Sequence, residues 1–192
     1  MYSTYHSILR NLSCLDRDQT VADLACGSGF VGRECLKMGY EKVVFVDARD
    51  ERFIKPTQTN WEFHKKDLTK DDVLDVIKEC DILLCMNYFY HATDIHKVLD
   101  AFSKTNCKHL LINSKCNIEF LNSDPHIEEG LEYTSKNTLA YDDQEVEISV
   151  YKPNTSYMKN ALIGLGFDIV YVETTPIFTK VEGHYFIHAK RD

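Results

Sequence analysis

Short apolar runs alternate along this chain with stretches whose apolar residues recur every three or four positions. TVADL (20–24) and VVFVD (43–47) read as strands. Between them, FVGRECLKMG places Val31, Cys35, Leu36 and Met38 at helical spacing, with Gly39 as a stop. WEFHK (61–65) predicts a third strand. DDVLDVIKEC (71–80) predicts a helix with Val73, Leu74, Val76, Ile77 and Cys80 on one face and Asp71 and Asp72 in the favoured first turn. DILLCM (81–86) is almost continuously apolar, as a strand covered on both faces should be. TDIHKVLDAF repeats Ile95, Val98, Leu99 and Phe102 at i, i+3, i+4 and i+7, and Asp94 suits its N-cap. HLLIN (109–113) predicts a fifth strand. Strand and helix alternate throughout, which predicts a parallel sheet wrapped by helices.

The end of the chain breaks that rhythm. A helix with Met158, Ala161, Leu162 and Leu165 on one face is expected to start at a Thr155 or Ser156 cap and stop at Gly166. FDIVYVE (167–173) and HYFIHA (184–189) follow, too close together for a crossover helix, so they are expected to pair antiparallel. Tyr5, Ile8, Leu9 and Leu12 make one more helical stripe at the front. The exception is 114–153, roughly 40 residues where about 2–6 are usual between a strand and a helix. LEYTSKNTLAY and VEISVYK within it read as a β-hairpin or small cap, inserted into one domain spanning 1–192.

The composition fits such a domain, with 44% hydrophobic and 27% charged residues. No apolar run approaches a membrane span, and MYSTYHSILRNL lacks the pattern of a signal peptide. Seven cysteines are scattered without a C-x-x-C pair, which predicts reduced core thiols of a cytoplasmic protein and no metal site. The net charge of −8 lacks the basic footprint of a nucleic-acid partner.

Candidate chemistry starts at VADLACGSGFVG, Val21 to Gly32, where Gly27, Gly29 and Gly32 spell G-x-G-x-x-G. A strand precedes it, a helix follows, and Asp47 ends the next strand, where a carboxylate can accept from both hydroxyls of a ribose. That context admits a dinucleotide such as NAD, and hence an oxidoreductase. Three features favour another nucleoside ligand. Asp23, four residues before Gly27, would repel a pyrophosphate at the helix N-terminus. HKKDL places Asp67 after the third strand, where it can accept from an adenine amino group. The antiparallel finish does not suit a dinucleotide fold.

These segments resemble the class I S-adenosylmethionine-dependent methyltransferases over nearly the whole chain. VADLACGSGFVG resembles their first motif, VVFVDARD the second, KKDL the third and DILLCMNYFYHATD the fourth. The resemblance implies a Rossmann-like three-layer α/β sandwich with a mixed seven-stranded sheet, order 3-2-1-4-5-7-6. It implies S-adenosylmethionine as cofactor, held by Asp23, Ala25, Cys26, Gly27, Gly29, Asp47, Ala48, Asp67, Leu68 and Asn87. Ala25 stands where the family commonly has glycine.

Methyl transfer needs alignment, a dry pocket and, for protonated nucleophiles, a general base. After Asn87 there are no prolines, so the N-P-P-Y pattern of amino-group methyltransferases is absent. Tyr88 and Tyr90 can wall an acceptor pocket, and His91 is either its general base or a structural, hydrogen-bonded histidine. Tyr2, Tyr5 and His6 can fold over the cofactor or simply pack. Within 117–150 nine acids face one base, Lys136, which suits a cationic small-molecule acceptor as well as a plain solvated face. A tRNA or a basic protein docked on a local patch is a second option, and a silent cofactor-binding scaffold a third.

Overall fold

The computed structural model describes residues 2–117, 131–141, 144–176 and 182–192. Its elements are α1 (Tyr2–Ser13), β1 (Thr20–Leu24), α2 (Phe30–Met38), β2 (Lys42–Asp47), β3 (Trp61–Lys65), α3 (Leu74–Ile77) and β4 (Ile82–Met86). A 3-10 turn (Phe89–His91) follows, then α4 (Ile95–Ser103), β5 (His109–Asn117), β6 (Leu131–Tyr141), β7 (Gln144–Pro153), α5 (Thr155–Gly164), β8 (Asp168–Pro176) and β9 (Glu182–Lys190). Seven strands form one sheet in the order β3-β2-β1-β4-β5-β9-β8, while β6 and β7 pair in a separate two-stranded sheet. Counted without that hairpin, the order is the expected 3-2-1-4-5-7-6. The pairs β3–β2, β2–β1, β1–β4 and β4–β5 are parallel, and β9 runs antiparallel to both its neighbours. The all-parallel sheet of a dinucleotide dehydrogenase is thereby excluded.

Strand alternation divides the core into two layers. Ala22, Leu24, Leu83, Cys85, Leu110 and Ile112 pack beneath Val98 and Phe102 of α4 and Met158 and Leu162 of α5. Val21, Phe45, Ile82, Leu84 and Leu111 pack on the other side, against Ile8 and Leu12 of α1 and Cys35 and Leu36 of α2. Successive side chains point to opposite faces and both faces are covered, which is why the strands read as continuous apolar runs. No helix among the described residues is long and apolar enough to cross a membrane.

Four details differ from the sequence expectation. The helix expected over 71–80 shrinks to Leu74–Ile77. Asp71 Oδ2 accepts from the Asp67 amide at 2.6 Å and Asp72 Oδ1 from the Leu74 amide at 3.0 Å, so both side chains hold a turn before it. The cap of α5 is Asn154, whose carboxamide oxygen accepts from the Tyr157 amide at 2.7 Å; Thr155 already lies inside the helix, its buried hydroxyl without a hydrogen bond. β5 runs on to Asn117 because β9 pairs with it from Glu182 onward, so 114–117 belongs to the main sheet. The crossover from β2 to β3, residues 48–60, contains no helix.

At the sheet end remote from the glycine loop, α1 is docked through a histidine pair. The Asn11 amide nitrogen donates to the Ser7 carbonyl at 2.8 Å, which turns Asn11 Oδ1 toward His188 Nδ1, 2.9 Å away. His188 Nδ1 therefore carries a proton, and its Nε2 accepts from His109 Nδ1 at 3.1 Å. Burial, and then the neighbouring His109, push the His188 imidazole down to about 4. The unfolded chain thus binds a proton more readily than the native one, and this contribution is lost as pH falls from the ordinary histidine value of about 6.5 toward 4. Thermal midpoints across that range should fall more steeply for the wild type than for His188→Gln. Parallel curves would show that His188 binds its proton equally well in the native and the unfolded chain, and so is not depressed by burial.

Candidate active site

The site is built where β1 and β2 end side by side. Ala25 follows β1 in a left-handed conformation, φ 51°. An L residue in that conformation costs about 1 kcal/mol or more, which gives a backbone reason for the glycine common at this place in the resembled family. Asn87, after the neighbouring β4, has φ 58°, which asparagine tolerates better than most residues. The Cys26 amide donates to the Val46 carbonyl at 3.1 Å and the Gly29 amide to the Cys26 carbonyl at 2.8 Å, closing the loop. Burial pushes the Cys26 thiol far up, so it is an inert wall.

The three glycines serve different purposes. A side chain at Gly27 would meet nothing within 4 Å, so the loop presents open backbone there. Gly29, with φ 70°, begins α2 beneath the Phe53 ring, 2.7 Å from where a Cβ would sit. Gly32 lies against Phe45, at 2.3 Å by the same measure.

Asp23 and Asp47 hold this loop from two sides. Asp47 Oδ2 accepts from the Gly27 amide at 2.7 Å and Oδ1 from the Arg49 amide at 2.9 Å. Asp23 is 2% exposed and accepts from the Gly32 amide at 2.8 Å, in the first turn of α2. Burial raises the Asp23 carboxyl to about 7, opposed by the Gly32 hydrogen bond and reinforced by the charge of Asp47. Its effect on a phosphate is therefore more specific than the expected charge repulsion. It occupies one of the helix N-terminal amides that a dinucleotide site turns toward the pyrophosphate.

The remaining expected residues divide between two places. Asp67 Oδ1 accepts from the Thr69 amide at 2.9 Å and hydroxyl at 2.8 Å, while Leu68 is buried in the core and Ala48 is exposed beside Asp47. Tyr88 sits on this same side: its hydroxyl bonds to Thr69, and burial pushes its phenol up. Tyr90 turns the other way, its ring 4.1 Å from the exposed His91 ring and 5.1 Å from Lys115 Nζ on β5. The structure thus separates Tyr88 and Tyr90. Phe89, between them, is wholly buried. Thr69 and Lys115 were missed by sequence reasoning, since neither lies in a motif. Asp94 caps α4, as expected, accepting from the Lys97 amide at 3.0 Å. Tyr5 packs on Phe30 at the start of α2, with ring centroids 5.2 Å apart. The side chain of Tyr2 lies outside the described residues. β7 of the hairpin lies against the 3-10 turn that carries Tyr90 and His91.

No protein-family model and no curated protein matches the sequence. Solved structures do match. An S-adenosylmethionine-dependent methyltransferase from Mesorhizobium loti has a TM-score of 0.68 at 15% identity, over 99% of both chains. The N-terminal domain of EvdMO1 with S-adenosylhomocysteine bound has a TM-score of 0.70 at 11% identity, covering 100% of this chain and 82% of that one. Magnesium protoporphyrin IX methyltransferase (ChlM) from Synechocystis, also with S-adenosylhomocysteine bound, has a TM-score of 0.61 at 14% identity, over 98% and 79%. The chain has the Rossmann-like, seven-stranded fold of the class I S-adenosylmethionine-dependent methyltransferases.

Proposed function

We propose that the chain is an S-adenosylmethionine-dependent methyltransferase acting on a small molecule. The observation that carries this reading is the pairing of Asp47 with the Gly27 amide beneath open loop backbone, in a fold whose neighbours bind this cofactor or its product. The residues present suit the group. Asp47 keeps lone pairs for the ribose hydroxyls, Asp67, Leu68 and Tyr88 border the adenine side, and Gly27 admits the ligand to the backbone. Ala25, Cys26, Gly29, Ala48 and Asn87 complete the rim, with Asp23 bracing it from below. When bound, S-adenosylmethionine supplies a methyl group already activated on a sulfonium.

The acceptor side lies beyond β4, between Tyr90, His91 and the hairpin, which we read as a cap. His91 takes up the proton that the acceptor releases, on a ring nitrogen. The acid-rich connection favours an amine or other cation, steered in by its field. A small-molecule acceptor agrees with the substrate named for the Synechocystis neighbour. A cytoplasmic setting suits the buried thiols of Cys35, Cys80, Cys85 and Cys107.

Calorimetry tests the reading. The protein should bind S-adenosylhomocysteine and not NAD, and Asp47→Ala should weaken that binding by about 1.5–3 kcal/mol, the scale of hydrogen bonds to a charged group. Unchanged affinity in the variant would remove Asp47 from the site. Absence of binding by the wild type would overturn the proposal itself.

A further inference from the structure

The β2–β3 crossover has no helix, so something else must hold it in place. Part of the answer is aromatic. Phe53 lies with its ring centroid 5.0 Å from Phe45, 5.6 Å from Trp61 and 4.5 Å from Phe63, and covers Gly29. The rest is polar and passes through one side chain of α2. Arg33 Nη1 donates to the Ser28 carbonyl in the glycine loop and, at 3.2 Å, to the Ile54 carbonyl in the crossover. The Ile54 amide in turn donates to the Ser28 carbonyl at 3.3 Å. Ser28 and Arg33, five residues apart, are thereby closed into one clasp with Ile54, 21 residues beyond Arg33.

Its position gives the clasp a consequence. The crossover begins at Asp47, and the glycine loop ends at α2, so Arg33 ties together the two walls between which a nucleoside would lie. One direct tie between those walls, the Gly27 amide on Asp47, engages the same carboxylate a ribose would address. The Arg33 clasp uses backbone carbonyls only and does not compete with a ligand for that carboxylate. We infer that Arg33 is a positioning residue of the cofactor site, holding the β2–β3 crossover and the glycine loop at binding distance when Asp47 turns to the ligand. The inference rests on the methyltransferase reading for the identity of that ligand.

The half-buried Arg33 can be replaced without opening the core. Calorimetry with S-adenosylhomocysteine and amide hydrogen exchange by NMR should be run on the wild type, Arg33→Ala and Arg33→Lys. The alanine variant should bind roughly tenfold more weakly, the lower end of what a single hydrogen bond from a charged donor contributes. Its Ile54 amide should exchange faster than the wild type's. Lysine, which keeps the charge and three N–H donors but on a shorter side chain with a more strongly hydrated head, should restore part of both. Affinity within about twofold of wild type in Arg33→Ala would overturn the inference, since this is less than one hydrogen bond contributes. So would weakened binding with unchanged Ile54 exchange, because Arg33 would then act without the clasp. If the wild type itself fails to bind S-adenosylhomocysteine, the cofactor reading falls, and the exchange of Ile54 alone decides whether the clasp exists.

Discussion

Replacing His91 with asparagine is expected to cut turnover by roughly 10²–10⁴-fold, the usual loss for a removed general base. Affinity for S-adenosylhomocysteine should stay within about twofold, less than one hydrogen bond contributes. His91 ends the 3-10 turn after β4, exposed, while Asp47 and the glycine loop lie on β1 and β2. Its ring packs on Tyr90, so lost packing must be separated from lost proton transfer. His91→Phe makes that separation, because it keeps an aromatic ring against Tyr90 and has no nitrogen to receive a proton. Both variants should be equally slow when production of S-adenosylhomocysteine is followed in the presence of fractionated cell extract. If phenylalanine restores near-normal turnover, His91 is a packing residue and transfer depends on alignment alone. A wild type that binds the cofactor tightly yet turns over no fraction would instead support the silent-scaffold reading.

Gly32→Ala is expected to destabilise the fold by about 3 kcal/mol, at the upper end of what overpacking a core costs. The added methyl would lie 2.3 Å from Phe45 Cε1, 2.8 Å from its Cζ and 3.0 Å from Asp23 Oδ2. Phe45 is fully buried and held by Phe53 and Trp61, so the ring has no free space to enter. Relief must come from α2 moving away, which also pulls the Gly32 amide off Asp23 and leaves a buried carboxyl without its partner. The thermal midpoint should fall by roughly 6–12 °C for a chain of this size. Gly39→Ala is the control. Gly39 takes a left-handed conformation, φ 89°, unlike helical Gly32, and a Cβ there meets nothing within 4 Å, so its cost should stay near 1 kcal/mol. A loss at Gly32 no larger than that at Gly39 would show that Phe45 and α2 make room for the methyl and that the contact does not require glycine at position 32.

Much of the fold follows from the local pattern. β1, β2, β3 and β4 fall within a residue of their apolar runs, and α2 ends at the expected glycine. The antiparallel finish follows from a gap too short for a crossover helix. Where polar side chains compete for backbone amides, the pattern misleads. Asp71 and Asp72 look like favourable first-turn residues of a long α3, and instead bond the turn before a short one. Asn154 outcompetes Thr155 for the cap of α5 for the same local reason, a carboxamide oxygen placed one residue earlier.

By itself, then, the sequence determined the alternation of strand and helix, the two buried faces of the sheet, the open glycine loop and the acid at the end of β2. Each rests on spacing within a few residues, and hydrophobic burial reads such spacing directly. Only the tertiary structure decided what Asp23 holds, which way Tyr88 and Tyr90 turn, that Ala25 is left-handed, and that Arg33 joins Ser28 to Ile54. It alone also paired His109 with His188, and His188 with Asn11. Those partners lie on different elements, and the register of the sheet brings them within hydrogen-bond range. No periodicity in the chain encodes a distance between residues that meet only after the strands have paired.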